Sequence, residues 1–375
     1  MAQTLYRRPL PADTIAFASP DGRQLFAEAL AAGGLDGYFR LAEQFHTQAD
    51  PAFCGLGSLV VALNALQIDP GRLWKGPWRW FAEDLLDCCV PLPEVRERGL
   101  DLDELACLAR CNGAEVELRR ADSADLEALR AAIAVAARGE TVVIASYDRA
   151  ALGQTGSGHF SPVGGYHQGR DLVLVLDVAR FKYPPHWVSA ERLWQAMQPV
   201  DPATGRSRGW LVLRARANGV ALGFSVRCEG DSWQGLAKRL TTIIKALEGE
   251  ADLGALARAV QPLAAHLELR EPSALAHQDG LAEARAALRG LPAHRGVVAA
   301  IGPEQAEAVT LLLLAIADLL SPAQRASLLA LSSTDNRALG TELSNIRAQL
   351  GAVLSHAAAD GRAIDAQPNC RSPLG

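Results

Sequence analysis

An α+β fold followed by a mostly α-helical C-terminal region is what this 375-residue chain predicts, on three observations. Up to about residue 217 helical and strand-like patterns mix, with the helices leading and the strands gathered later. The clearest strand pair, in "GHFSPVGGYHQGRDLVLVLDV", folds back on itself around "HQGRD" and so reads as antiparallel. After Asn218-Gly219 the residues become Ala-, Leu- and Arg-rich helix with few aromatics. Alternating β-α units would predict a parallel sheet; this order predicts an antiparallel one. The length suffices for two units with cores of their own, divided here as 1–217 and 218–375.

Along the chain, "DP" and the glycines at 55 and 57 mark a turn, and Leu59, Val60, Leu63 and Leu66 then recur at helical spacing. "DLDELACLARCNGAEVELRR" reads as a helix ended at Asn112-Gly113 and a following strand. "DLEALRAAIAVAARGETVVIASY" reads as a helix stopped at Gly139, then the strand "TVVIASY". A helix around "AERLWQAMQ" and the strand "RGWLVLRAR" close the first unit. In the second, "SWQGLAKRLTTIIKALEG" and "EQAEAVTLLLLAIADLLS" are the clearest amphipathic or buried helices, and "AAADGRAIDAQPNCRSPLG" reads as a loose tail.

The composition is that of a globular protein, 49% hydrophobic and 21% charged. Its net charge of -5 argues against a nucleic acid or an anionic membrane as partner. "MAQTLYRRPLPADT" carries no apolar segment, so no secretory signal is expected. The run "AVTLLLLAIA", bounded by Glu307 and Asp318, is about half a membrane span and reads as a buried helix. Seven cysteines, an odd number, predict reduced thiols and a cytoplasmic protein rather than a disulfide framework.

Five of those cysteines lie between residues 54 and 111. Cys54 falls in or just before the first turn of a helix, where backbone N–H groups and the helix dipole favour a thiolate. By position alone it fits a small buried hydrophobe as well as a reactive thiol. A nucleophilic thiol needs a base and a group to orient that base. His159 precedes Gln168 by nine residues and Asp177 follows it by nine, so a turn centred on Gln168 sets the two opposite each other on one face. Asp177 also sits in the apolar run "LVLVLDV", where an unpaired carboxylate would cost several kcal/mol. Gln48, six residues before Cys54, carries an amide able to donate to an oxyanion. Gln, Cys, His and Asp in this order match the papain-like cysteine peptidases. Pairing with His⁺ brings a thiol pKa from about 8.5 into the range of about 3.5–7.5. "GQTGSG" is no phosphate loop, since no Lys-Ser/Thr follows it.

The blocks "DPAFCGLGSL", "ALNALQIDPGRLWKGPWRWF", "LDCCVPLPEV", "QTGSGHFSPVGGYH" and "LDVARFKYPPHWV" together resemble phytochelatin synthase, the glutathione γ-glutamylcysteinyltransferase family, of the plant-like type. The resemblance runs from about Leu5 to Leu213 and continues weakly into "RCEGDSW" and "AVTLLLLAI". It implies a papain-like cysteine protease fold for the first unit, with Cys54 as nucleophile, His159 as base, Asp177 as orienter and Gln48 in the oxyanion hole. It implies substrate-binding roles for Phe53, Gly55, Gly158 and Phe160, and for Asp201 and Arg208 toward the γ-glutamyl ammonium and carboxylate, chemistry that suits an acid and a guanidinium. Arg180, Lys182 and Tyr183 are assigned to the second substrate. It further implies no covalent cofactor, heavy metal ions (Cd²⁺, Zn²⁺, Cu⁺) as activators in the form of glutathione thiolate complexes, and glutathione and phytochelatin oligomers as partners. Metal sensing falls to Cys88, Cys89, Cys107 and Cys111; Cys107 and Cys111 at i, i+4 share a helix face, and thiolates suit soft ions. The C-terminal half holds only Cys228 and Cys370, where plant-like relatives are often cysteine-rich. A homodimer is left open.

Two other functions compete. With water as acceptor the same residues make a glutathione hydrolase releasing glycine and γ-Glu-Cys. A non-enzymatic thiol metal buffer or sensor would leave the buried Asp, His and Gln unexplained.

Overall fold

The computed structural model describes residues 7–70, 74–87, 90–215, 224–226, 233–247, 249–250, 252–269, 279–332 and 336–360. In chain order the elements begin with β1 (Ile15–Ala16), α1 (Pro20–Ala31), α2 (Tyr38–Gln44) and α3 (Cys54–Ala65). Next come α4 (Leu92–Arg98), α5 (Leu102–Cys111), β2 (Ala114–Arg120), α6 (Leu126–Ala137) and β3 (Val142–Asp148). The strands then gather as β4 (Gly158–His167), β5 (Leu172–Val175) and β6 (His186–Ser189), with α7 (Ala190–Met197), a short hairpin of β7 (Val200–Asp201) and β8 (Arg206–Ser207), and β9 (Gly209–Ala215). The rest is β10 (Phe224–Val226), α8 (Trp233–Ala246), α9 (Leu253–Val260), β11 (Leu267–Leu269), α10 (Asp279–Gly290), α11 (Pro292–Ile301), α12 (Ala306–Ile316), α13 (Pro322–Ala330) and α14 (Arg337–Asp360).

Seven strands form one antiparallel sheet in the order β1-β6-β5-β4-β3-β9-β2. Its alternation sorts side chains into two cores, as period-2 geometry requires. Val142 and Ile144 of β3, Leu174 of β5 and Leu211 of β9 face α3 and α5. Val143, Ala145 and Tyr147, with Val173, Val175 and Val212, face α6 and α7. Covered on both faces, β3 is buried along nearly its whole length, the strand expected at "TVVIASY". The α+β expectation holds, and the helices over "DLDELACLARC" and "DLEALRAAIAVAA" start on side-chain caps from Asp101 and Asp125.

The first core does not stop at residue 217. It runs on without a break through Leu236, Leu240, Val309, Leu312, Ile316 and Leu350. The link is α14 lying against α5, and the Gln349 side chain, fully buried, accepts from the Val226 backbone at 2.7 Å. The helical character expected for the C-terminal half is present, with the added strand pair β10–β11. α12 is buried throughout except at Glu307, and among the described residues no helix is long and apolar enough to cross a membrane.

Candidate active site

Two segments bring the site together. The Asp50-Pro51 turn is closed by Asp50, whose carboxylate accepts from the Ala52 N–H at 3.1 Å and holds the Arg96 guanidinium at 3.2 Å. It delivers Cys54 as the first residue of α3, with no side chain capping that helix end. Unlike Gly55 to Ala65, all buried, Cys54 is only half-buried and opens onto a cleft of about 530 Å³. The second segment is the β4–β5 hairpin. The Gln48 N–H donates to the Val178 carbonyl at 3.1 Å and ties the two segments together.

The hairpin turns at Gln168–Arg170 and Asp171, the latter left-handed at φ 51° and held by Arg130 and the Tyr166 hydroxyl. Tyr166 pairs with Val173 and Gly165 with Leu174, but beyond a bulge at Gly164 the register moves by one, pairing Val163 with Val175. That shift decides the chemistry. A one-residue slip exchanges faces, so the bulge puts the odd-numbered start of β4 on the same face as Val175 and, past the end of β5, Asp177. Extended, this register sets Asp177 opposite Ser161 and diagonal to His159. The turn therefore is not centred on Gln168 as the sequence suggested, yet the shared face is right. His159 Nε2 lies 2.9 Å from Asp177 Oδ1, leaving Nδ1 for the thiol.

Cys54 is within hydrogen-bonding reach of His159. Burial opposes ionisation of the thiol most strongly. The charge and hydrogen bond of His159, a backbone hydrogen bond from Phe160 and the charge of Arg149 together outweigh it, and the pKa falls. For His159 burial is again the largest influence, favouring the neutral ring, but Asp177 and the Cys54 thiolate hold it protonated to higher pH than usual. Opposite shifts on the two partners favour a thiolate–imidazolium pair. Alkylation of Cys54 by iodoacetamide is therefore expected to rise through an inflection below the ~8.5 of an ordinary thiol, and His159→Ala to move it upward. An inflection indifferent to His159 would refute the ion pair.

Asp177 is fully buried and carries more than one partner. Burial alone would raise its pKa, but His159 and Arg149 hold it well below the usual carboxylate range. Arg149 approaches Asp177 Oδ2 at 2.8 Å and Oδ1 at 3.0 Å, and the Ala179 N–H donates to Oδ1 at 2.9 Å. Behind it, Arg149 donates to Gln154 Oε1, and Gln154 Nε2 meets His186 Nε2 at 3.2 Å. Tyr147, buried and edge-on to His159, packs the ring from behind and shares a hydrogen bond with Ser161 at 3.1 Å. Sequence reasoning missed Arg149, Gln154 and His186.

Cys54, Gly158, His159, Phe160, Lys182, Asp201 and Arg208 line the cleft. Arg208, 3% exposed, donates to the Pro199 carbonyl at 2.9 Å and stands 3.8 Å from Asp148, with its Nε unpartnered. Burial and the charge of Arg149 lower the Lys182 pKa. Phe53, Gly55, Arg180 and Tyr183 do not line the cleft. Phe53 is buried beneath Arg96 and Gly55 packs against Leu100. Arg180 lies over the Phe45 ring, and the buried Tyr183 accepts from the Thr155 N–H at 2.8 Å. Gln48 is buried, its amide donating to the Asp50 and Pro51 carbonyls at 2.8 and 2.9 Å. Both amide hydrogens hold the loop that presents Cys54.

Cys107 and Cys111 are fully buried on α5 with sulfurs 3.9 Å apart, while Cys88 and Cys89 lie outside the described residues, as do Cys228 and Cys370. Two thiols are half a tetrahedral donor set. Among the described residues no group of three or more His, Cys, Asp or Glu could hold a metal ion.

A family model described as phytochelatin synthase matches residues 5–210, more than half of the chain. The chain is 51% identical over 237 residues to glutathione gamma-glutamylcysteinyltransferase 1 of Triticum aestivum, covering 63% of this chain and 47% of that protein. It is 47% identical over 251 residues to glutathione gamma-glutamylcysteinyltransferase 3 of Lotus japonicus (66% and 52% covered). The glutathione gamma-glutamylcysteinyltransferase of Schizosaccharomyces pombe is 41% identical over 242 residues (64% and 58% covered). The matched segment thus spans about half the length of these curated relatives. With a cysteine, histidine and aspartate converging in its matched segment, the chain belongs to the phytochelatin synthase family.

Proposed function

We propose that the chain is a γ-glutamylcysteine dipeptidyl transpeptidase that makes phytochelatins, (γGlu-Cys)n-Gly, from glutathione with release of glycine. The observation that carries the reading is the half-buried Cys54 at a helix N-terminus against a His159 held by Asp177. In the first step the Cys54 thiolate attacks the Cys–Gly carbonyl carbon of glutathione, and the oxygen takes the negative charge. Collapse breaks the C–N bond, and glycine leaves with the proton of the His159 imidazolium. The α-amine of a second glutathione or of a growing chain then attacks the thioester, gives its proton to His159 and restores the thiolate. Gln48 serves as oxyanion donor by exchanging one of its carbonyl partners for the substrate oxygen.

In this reading Asp201 and Arg208 hold the zwitterionic γ-glutamyl end of the donor, and Arg208, buried with an unused Nε, supports the carboxylate assignment. Lys182 in the same cleft suits the second glutathione, with Arg180 and Tyr183 acting from beside it. Phe53 and Gly55 act through the position of Cys54, Gly158 and Phe160 through the cleft wall. Soft metal ions enter as substrate, in thiolate complexes with glutathione. The N-terminal part adopts a papain-like arrangement, and the helices after residue 217 act as an accessory unit.

Incubating purified protein with glutathione, with and without Cd²⁺, and following products by mass spectrometry tests this against a Cys54→Ala control. Cys54-dependent oligomers support the transpeptidase. Glycine and γ-Glu-Cys alone would make it a hydrolase, and no turnover would remove the enzymatic reading.

A further inference from the structure

Arg120, the last residue of β2, is 2% exposed and takes no part in lining the cleft. Its guanidinium bridges two elements. Nη1 donates to the Ser207 carbonyl at 2.6 Å and Nη2 to Asp103 Oδ2 at 2.6 Å, in the first turn of α5. Ser207 is the residue before Arg208, and it pairs with Val200 across the small hairpin that also fixes Asp201 opposite Arg206. The end of β2 grips the same segment at three further points. The Asp122 N–H donates to Ser207 Oγ at 3.0 Å and the Ala121 N–H to the Arg208 carbonyl at 2.9 Å. At Gly209 a Cβ would fall 2.0 Å from the Arg119 carbonyl oxygen, so only glycine permits that approach. Both sides of Arg208 are thereby pressed against β2.

A buried guanidinium is costly unless its donors are used. Here two of them join a backbone carbonyl to a carboxylate, which a single lysine ammonium cannot span in the same geometry. The Arg208 guanidinium lies close against Gly158, where a Cβ would fall 3.2 Å from its Nη2. We propose that Arg120, braced by Asp103, is a positioning residue that sets Arg208 for the α-carboxylate of the γ-glutamyl group. This rests on the reading of Arg208 given above.

The test uses the full chain with Arg120→Lys, which keeps the charge beside Asp103 but gives up the two-pronged bridge. Glycine release is measured with glutathione and with an analogue whose γ-glutamyl α-carboxylate is an amide. The expected result is a KM for glutathione raised roughly tenfold with kcat within twofold, and a matching loss of discrimination against the amide, since misplacing a binding group costs such factors. Damage that is only structural would lower both substrates alike, and that outcome, or an unchanged KM, overturns the proposal. Should Arg120→Lys not fold, the paired Arg120→Met, Asp103→Leu variant removes both charges and is read by the same two substrates. Arg208→Lys serves as the reference. If it leaves KM and discrimination intact, the Arg208 reading falls and this proposal with it. If it changes them and Arg120→Lys does not, only the positioning role falls.

Discussion

Asp177→Asn is expected to lower kcat by roughly 10³- to 10⁴-fold while the chain still folds, the scale seen when the orienting acid of a catalytic triad becomes its amide. The reason lies in the charge that Asp177 supplies. Asp177 takes hydrogen bonds from Arg149 and from the Ala179 N–H as well as meeting His159. All three meet the same oxygen, Oδ1, so the carbonyl of asparagine stays there and its NH₂ takes the place of Oδ2, which lies 2.8 Å from the Arg149 guanidinium. There donor faces donor beside Arg149, and His159 is left with a neutral acceptor in place of a carboxylate. The imidazolium also loses its counter-charge, which the raised pKa of His159 depends on. Steady-state turnover of glutathione and the pH dependence of Cys54 alkylation test this together. The alkylation inflection should move up toward an ordinary thiol. A loss below tenfold, or an unmoved inflection, would mean that Asp177 does not orient the base.

How far such a site is legible before folding depends on whether its parts are local. Cys54 at the start of α3 needed only a turn signal and helical spacing. The caps of α5 and α6, Asp101 and Asp125, stand where helix starts expect them. The His159–Asp177 pair was half legible. Facing could be argued from strand alternation, but the register could not, because the bulge at Gly164 adds a residue that no periodicity records. The adjacent Gly164-Gly165 was the available signal, since glycine inside a strand marks a bulge or a close approach. Arg149 was missed because it follows β3 in an unpatterned loop, and nothing near it in sequence calls for a cation. The demand came from Asp177, a carboxylate with two oxygens and only one partner assigned. Gln154 and His186 depend on Arg149 in turn. The β10–β11 pair joins segments more than 40 residues apart, and the continuity of the core from α5 into α14 is likewise a tertiary fact.

Arg149→Leu carries the largest expected effect on stability, about 3–5 kcal/mol, the range for removing one partner of a buried ion pair. At about 2–4 °C per kcal/mol this is a fall in Tm on the order of 10 °C. Leucine removes the guanidinium that lies over the Tyr183 ring, and leaves Gln154 Oε1 without its donor and Asp177 with His159 as sole charged partner. The pH dependence separates this from ordinary packing loss. Asp177 has a depressed folded pKa, so its contribution is complete above the unfolded value of about 3.9 and is lost as pH falls through the folded one. The variant's deficit should therefore be widest near neutrality and narrow on acidification, because protonating Asp177 removes in the wild type what the substitution has already removed. A cavity or a clash would give a deficit that does not change with pH. The same substitution reaches the thiol. Arg149 lowers the pKa of Cys54 and opposes protonation of His159, so its loss should move both inflections of the alkylation profile upward. Melting curves at pH 7 and near pH 2, read beside that profile, decide the matter: a deficit independent of pH with an unmoved thiol would make Arg149 a packing residue, and a narrowing deficit with both inflections raised would make it the counter-charge on which the Asp177 carboxylate rests.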